Sequence, residues 1–176
     1  MATMILLPDG TGTASLDWIA VGEATRHAAL ADDNGSTSYV KCNDDAEAMI
    51  IEFADPSVDE ADIASIDSVQ FLSSGKAIHR TDPSLVNIRF EAGTASYFVE
   101  LCSYDAHRTN FETINGTVRV STNAAFQVDW TYANLEDLEM KCTKSLTVEV
   151  YLSYLALKVT YTEAVTDNAT FFGANF

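Results

Sequence analysis

The residues best suited to acid–base chemistry are three histidines, His27, His79 and His107, and none of them has a catalytic context. A catalytic histidine works on a nucleophile within its reach, as in hydrolases that carry a Gly-x-Ser-x-Gly turn. The sequence contains neither that turn nor a Gly-rich phosphate-binding loop. It therefore predicts that the histidines are structural or surface residues and that the protein is not an enzyme.

The three cysteines, Cys42, Cys102 and Cys142, are far apart in the chain and form no Cys-x-x-Cys pair. Structural zinc sites use ligand pairs that are close in sequence, so we expect no metal and no cofactor here. An odd number of cysteines favours reduced thiols that pack as small hydrophobic side chains. One disulfide stays open as an alternative if the protein belongs to an extracellular particle.

Calcium is the small ligand that the acidic residues fit best, because two Asp- and Asn-rich loops supply hard oxygen atoms. The residues concerned are Asp32, Asp33, Asn34, Asn43, Asp44 and Asp45. Their spacing differs from that of an EF-hand loop, and Asp and Asn are also good turn formers. We therefore predict turns without a metal and keep calcium as the alternative. Nothing singles out a carboxylate pair for glycoside hydrolysis among the 26 acidic residues.

The formal net charge of −16 comes from 26 acidic and 10 basic residues, and the basic residues form no cluster. Phosphate binding needs grouped Lys and Arg side chains, so we expect no direct contact with nucleic acid. The charge favours solubility in a crowded assembly, with adaptation to salty water as the alternative. No apolar run reaches the length of a membrane span, and residues 1–9 lack the basic start of a signal peptide. We expect no membrane contact, and folding in the compartment where the protein is made.

Apolar and polar residues alternate with a period of two through much of the chain, which is typical of strands with one buried face. The clear strands cover residues 46–53, 66–78, 86–91, 96–102, 117–120, 124–130 and 146–161. Turns rich in Asp, Asn and Gly separate them. The pattern predicts a single all-β domain over residues 1–176, an antiparallel, jelly-roll-like β-sandwich of about eight to ten strands. The expected core residues are Val86, Ile88, Phe90, Val99, Leu101, Val148, Val150 and Val159.

Two segments have helical features. Residues 57–60 have the form of a capping box, which predicts one short helix that continues to Ala64. Residues 134–139 carry leucines three positions apart, but strand-like residues flank them on both sides. We therefore predict an extended conformation for this second segment.

The last strand switches the parity of its apolar positions. These positions are even up to Leu152 and odd from Leu155 onward. A shift of one residue turns every following side chain to the other face of a sheet. The switch predicts a β-bulge near Ser153 and Tyr154, with burial of both faces as the alternative.

The order of several segments resembles a recurrent β-sandwich module in virion proteins of tailed phages. An early Trp follows an Asp-Gly turn, an Asp-rich loop leads into a Thr-Tyr strand, and the closing strand ends in an aromatic residue. The matching segments are residues 8–10, 17–18, 28–30, 32–33, 36–40 and 148–161. The resemblance implies a structural protein of the virion, made in the host cytoplasm, most of all a capsid decoration (head-stabilising) protein. The resemblance implies no catalytic residues in this sequence.

Two apolar segments near the ends of the sequence lie outside the main strand pattern. They contain Ile5, Leu6, Leu7, Phe171, Phe172 and Phe176. Exposed apolar segments are an aggregation liability, so we expect these residues to dock on the domain's own core or on a neighbour. The hypothesis is a homo-oligomer, in the first place a homotrimer, that also contacts the major capsid protein or other virion proteins.

The alternative function is a glycan- or receptor-binding β-sandwich module of a tail or fibre. Such a module displays exposed aromatic rings, and the candidates are Trp18, Trp130, Tyr97, Tyr104, Tyr132 and Tyr151. Trp and Tyr in strands are more often core or interface residues. A platform of exposed rings with polar neighbours would favour the alternative.

Overall fold

Two antiparallel sheets form the protein. The computed structural model describes residues 1–10, 18–42, 48–79, 88–94, 97–104, 108–116, 119–120, 130–136, 138–144 and 148–165. For residues 79, 92–94, 97–104, 108, 114 and 119–120 it describes the backbone alone.

The first sheet has seven strands. They are β1 (Ala2–Leu6), β3 (Trp18–Val21), β4 (Tyr39–Cys42), β6 (Ile63–His79), β9 (Arg108–Asn115), β10 (Arg119–Val120) and β12 (Val148–Glu163). At its centre the long strands β6 and β12 pair with each other along most of their length. The outer side of β12 pairs first with β4 and then with β1, while β3 extends the sheet beyond β4.

The second sheet has five strands, which are β2 (Pro8–Gly10), β5 (Met49–Phe53), β7 (Ile88–Thr94), β8 (Tyr97–Tyr104) and β11 (Glu139–Lys144). Their order in the sheet is β2-β5-β11-β7-β8. Because β2 follows β1 after one residue, the chain passes from one sheet to the other at Leu7.

Eight of these strands have the order of a jelly roll. The order β4-β12-β6-β9 in one sheet faces β5-β11-β7-β8 in the other. This arrangement is that of two interleaved Greek keys, which confirms the predicted all-β, jelly-roll-like sandwich. The described residues form 12 strands, more than the eight to ten that we predicted, because β1, β2, β3 and β10 are added to the eight.

The core lies between the inner faces of the two sheets. Among the predicted core residues, Ile88, Phe90, Val148, Val150 and Val159 are fully buried. Val86 and the side chains of Val99 and Leu101 lie outside the described part. Phe71 of β6 and Phe90 of β7 join the sheets directly, since their ring centroids are 4.6 Å apart.

A β-bulge resets the faces of β12 at the predicted place. The pairing with β6 shifts between Leu152 and Tyr154, so Ser153 is the extra residue. Ser153 is buried and its hydroxyl donates to the carbonyl oxygen of Ser74 at 3.3 Å. Gly75 lies opposite the bulge, where an added Cβ would come within 2.6 Å of the Tyr151 carbonyl oxygen. The bulge therefore requires a residue without a side chain on the partner strand.

Helical structure is limited to short pieces: α1 (Arg26–Ala31), α2 (Tyr132–Glu136) and a 3₁₀ turn (Glu60–Asp62). The helix expected after residues 57–60 is only this 3₁₀ turn, because β6 already begins at Ile63. No helix in the described residues has the length and apolar character needed to span a membrane.

The extended conformation predicted for residues 134–139 is wrong over its first part. Thr131 and Asn134 form a reciprocal cap at the start of α2. The Asn134 amide donates to Thr131 Oγ1 at 3.2 Å, and the Thr131 amide donates to Asn134 Oδ1 at 3.3 Å. Leu135 turns into the core, and β11 starts at Glu139.

Candidate interaction surface

Aromatic side chains and a lysine form a row across the outer face of the seven-stranded sheet. The row comprises Tyr39 on β4, Tyr151 on β12, Lys76 on β6 and Phe111 on β9. The four strands are neighbours in this order, and Tyr151 pairs directly with Lys76. All four side chains are half-buried, so they remain accessible from the solvent. We call this set the aromatic row.

The three rings of the aromatic row are in mutual contact around the lysine. The Tyr39 ring centroid is 5.7 Å from that of Tyr151 and 5.9 Å from that of Phe111. Lys76 Nζ is 4.5 Å from the Tyr151 centroid and 5.1 Å from the Phe111 centroid. At these distances the ammonium group is attracted by the faces of both rings.

The neighbours of the aromatic row are polar. The Tyr151 hydroxyl donates to Glu149 Oε2 at 2.9 Å, which places a carboxylate beside the row, further along β12. Lys41 pairs with Tyr151 from the other side, on β4. Such a surface, with flat rings between hydrogen-bonding groups, can pack against a protein partner or stack on a sugar ring.

An open depression adjoins this face at the edge strand β3. It has a volume of about 530 Å³ and is lined by Trp18, Ile19, Ala20, Glu23, Thr25 and Arg26. Ile19 is 52% exposed, a large exposed fraction for an isoleucine. Ile19 pairs with Lys41, and Lys41 pairs with Tyr151, so Ile19 lies two strands from the aromatic row.

The loop between β3 and α1 lines the other side of the depression and is fixed by its backbone conformation and hydrogen bonds. Gly22 has a φ of 87°, a left-handed conformation that favours glycine, and an added Cβ would lie 2.2 Å from the Thr37 carbonyl oxygen. Thr25 caps α1 by accepting a hydrogen bond from the Ala28 amide at 3.3 Å. Arg26, on the first turn of α1, donates from Nε to the Trp18 carbonyl oxygen at 2.5 Å. This contact ties the helix to the edge strand.

The structure separates the residues that the sequence grouped as an assembly interface. Leu6 is buried in the protein's own core, Leu7 is half-buried, and Ile5 is 47% exposed on the outer side of β1. Phe171, Phe172 and Phe176 lie outside the described residues. Among the described members, Ile5 is the side chain with the most surface available to a neighbour.

The aromatic residues considered for glycan binding also differ in position. Trp18 and Trp130 are core residues, and the side chains of Tyr97 and Tyr104 lie outside the described part. Tyr132 is half-buried, and its hydroxyl donates to the Val58 carbonyl oxygen at 3.0 Å. Tyr151 belongs to the aromatic row, whereas its partners Tyr39, Lys76 and Phe111 were missed.

The histidines and the possible calcium ligands lie apart in the described part of the chain. His27 contacts the hydroxyl of Thr25 beside α1 at 3.1 Å, His107 lies outside the described residues, and for His79 only the backbone is described. The described part holds no cluster of three or more His, Cys, Asp or Glu side chains that could bind a metal. Asp33 Oδ1 lies 3.5 Å from the Ser153 hydroxyl, and residues 43–45 of the possible calcium loop lie outside the described part.

Two cysteines face the core from opposite sheets. Cys42 ends β4, Cys142 lies in β11, and both are fully buried. Burial raises the pKa of the Cys142 thiol, and the nearby Cys42 adds to the effect. Both thiols therefore pack as small hydrophobic groups, as the sequence predicts.

No family model matches the chain, and no curated protein matches it significantly.

Proposed function

We propose that this protein is a non-enzymatic structural protein of a tailed-virus particle, most specifically a capsid decoration protein. The jelly-roll strand order is the observation that carries the proposal, because viral capsid proteins are among the main users of this fold. The fold alone is an analogy, since jelly rolls also occur in lectins and cupins. Several segments resemble virion modules of tailed phages, and this resemblance favours the viral use of the fold over the lectin and cupin uses. The segments are residues 8–10, 17–18, 28–30, 32–33, 36–40 and 148–161.

The surface of the protein supports a role in assembly. A net charge of −16 keeps the protein soluble at high local concentration. Ile5 and Ile19 nevertheless expose apolar surface on two different strands of one sheet. In the proposal such surfaces are covered in a homotrimer and on the capsid, where added interface stabilises the shell against internal pressure and heat.

The test adds the purified protein to tailed-virus particles that were assembled without it. We expect bound protein after sedimentation, and a higher temperature of genome release than in particles incubated with buffer alone. Bound protein without any change in the release temperature would contradict the decoration role. Failure to bind any part of the particle would contradict the virion assignment.

The aromatic row favours a second candidate, a glycan- or receptor-binding module. Three ring systems beside Glu149 and Lys41 have the mixed aromatic and polar character of sugar-binding surfaces. A glycan array with wild-type protein and Tyr151→Ala distinguishes this candidate, with Tyr132→Ala as the control in a half-buried tyrosine elsewhere. Binding that is lost only in Tyr151→Ala supports the second candidate, whereas no bound glycan in any variant excludes it.

A further inference from the structure

We propose that the aromatic row binds an acidic saccharide, a sugar ring that carries a carboxylate. The inference rests on the second candidate of the proposed function, the glycan-binding module, and adds the class of sugar and the groups that select it. The rings of the aromatic row contact the sugar ring, and Lys41 and Lys76 bind its carboxylate.

Two lysines flank Tyr151 on the outer face of the seven-stranded sheet. Lys41 pairs with Tyr151 from β4, and Lys76 pairs with it from β6. Both lysine side chains point to the outer face, since their chain neighbours Val40 and Ala77 are fully buried on the inner face. Neighbouring strands are about 4.8 Å apart, so the backbones of the two lysines lie about 10 Å apart with the tyrosine between them. The outer face therefore presents two cations around one ring.

The charge of these two lysines is not neutralised by the described part of the chain. Lys76 Nζ lies over the rings of Tyr151 and Phe111. Among the described residues, no carboxylate forms an ion pair with Lys41 or Lys76. Acidic residues outnumber basic residues by 26 to 10 in this protein, so two neighbouring lysines without an acidic partner stand out. They leave positive charge for an anionic ligand.

The rings beside the lysines suit the apolar face of a sugar. The Tyr39 ring is inclined by 60° to that of Tyr151 and by 49° to that of Phe111, so the row is not one flat stack. The Tyr151 hydroxyl donates to Glu149 Oε2 at 2.9 Å, which holds the ring in one orientation. The C–H groups of a pyranose can pack on these rings while its polar groups meet the lysines. The rings and the charges thus recognise different parts of one ligand.

The size of the aromatic row favours a sugar over a protein partner. Its three aromatic side chains are half-buried, and the surface that they leave accessible amounts to roughly 300 Å². A stable protein interface buries about 800 Å² on each partner. The aromatic row by itself is therefore matched to a ligand of one or two sugar units.

The charge of the whole protein favours a ligand with few negative charges. A net charge of −16 repels a nucleic acid or a polyphosphate, which would also need many grouped cations. A sugar with one carboxylate brings a single charge to two lysines. Hydrogen bonds between an ammonium and a carboxylate are stronger than those to a neutral hydroxyl. An acidic sugar should therefore bind more tightly than a neutral sugar with the same ring.

The experiment begins with full-length protein on an array of glycans that end in uronic acid, in sialic acid or in a neutral sugar. We expect bound protein on acidic glycans. Calorimetric titration then compares the strongest acidic glycan with its methyl ester, which keeps the ring and removes the charge. The acid should bind at least about tenfold more tightly than the ester, and its affinity should fall as salt is added.

Three substitutions assign the roles of the side chains, and a fourth is the control. Lys41→Met and Lys76→Met should each weaken binding of the acid by about tenfold and leave binding of the ester unchanged. Tyr151→Ala should weaken binding of both. The control Lys158→Met removes the same charge from a half-buried lysine seven residues further along β12, and it should bind like the wild type. Circular dichroism melts confirm that each variant is folded.

Several outcomes would overturn the inference, and they separate it from the proposed function. Equal affinity for the acid and its ester would reject the acidic class and keep the glycan-binding module. No bound glycan of any kind would reject both. Equal losses in Lys158→Met and Lys76→Met, or equal binding of a polyglutamate peptide, would mean that general charge attracts the ligand. None of these outcomes decides the virion assignment, which the addition of protein to deficient particles tests separately.

Discussion

The two faces of the seven-stranded sheet are built from the same strands but have different chemistry. The inner face of β12 presents Val148, Val150, Leu155 and Val159, all fully buried against the other sheet. Its outer face presents Tyr151, which stays half-buried between lysines and rings. The difference indicates that side chains on the inner face determine the stability of the fold. Side chains on the outer face and on the edge strand β3 are available for contacts with a partner or ligand. Substitutions on the two faces should therefore have separable effects.

The largest expected effect is the loss of an aromatic ring from the inner face. Phe71→Ala removes the ring that packs on Phe90 between the sheets, and we expect the free energy of unfolding to fall by about 3–5 kcal/mol. Phe111→Ala, on the outer face, should cost less than about 1 kcal/mol. Urea denaturation of both variants measures the difference. Equal losses would contradict the division between the two faces.

Crowding at the bulge should have the next largest effect. Gly75→Ala puts a methyl group against the backbone of β12, where an added Cβ would lie 2.6 Å from the Tyr151 carbonyl oxygen. We expect a loss of about 1–3 kcal/mol, as for other overpacked sites. Gly35→Asn is the matched control, because Gly35 has open space around it and a φ of 59° that Asn tolerates. If thermal unfolding shows a larger loss of stability for Gly35→Asn than for Gly75→Ala, the bulge does not require glycine at position 75.

The buried thiol on the inner face should make stability depend on pH. The pKa of Cys142 is raised above its ordinary value of 9.0 by burial, so the unfolded chain loses this proton first as the pH rises. The stabilisation is complete below pH 9 and falls above it, by at most about 1.4 kcal/mol per pH unit for one group. Denaturant melts between pH 7 and pH 11 should show a steeper loss for the wild type than for Cys142→Ala. Parallel pH profiles would show that the thiol does not contribute.

The smallest expected effect concerns the aromatic row itself. Lys76→Met keeps an apolar stem but removes the ammonium from the rings of Tyr151 and Phe111, so unfolding should become easier by about 0.5–1 kcal/mol. The same substitution should disturb any ligand or partner contact on this face far more than it disturbs the fold. A loss above about 2 kcal/mol would mean that the aromatic row is a structural element rather than an interaction surface.

Much of the fold was predictable from sequence because burial imposes a period of two on strands. The parity switch between Leu152 and Leu155 located a bulge to within one residue. The strand β9 was missed because Phe111 and Ile114, its only large apolar residues, are three positions apart and do not set a period of two. The strand β11 was recognised only as strand-like sequence around Cys142. The helix α1 was missed although Thr25 caps it, because six residues are too few to establish helical periodicity.

The candidate surface was less predictable, because it depends on which strands are neighbours. Tyr39, Lys76, Phe111 and Tyr151 are far apart in sequence, and only the jelly-roll order β4-β12-β6-β9 brings them together. Ile19 lies in an alternating strand like many others, and its place on the outer face of the edge strand leaves it exposed, whereas Trp18 on the inner face of the same strand is buried. Leu6 was grouped with Ile5 as part of an apolar segment, but pairing of β1 with β12 sends the two side chains to opposite faces.

The most direct test of the structural role is a count of protein copies in purified tailed-virus particles. Quantitative mass spectrometry against isotope-labelled peptides gives the ratio of this chain to the major capsid protein. The proposed decoration role requires many copies per particle, in a number divisible by three, that stay bound through a density gradient. Particles that contain no copies, while the protein accumulates free in the infected cell, would contradict it.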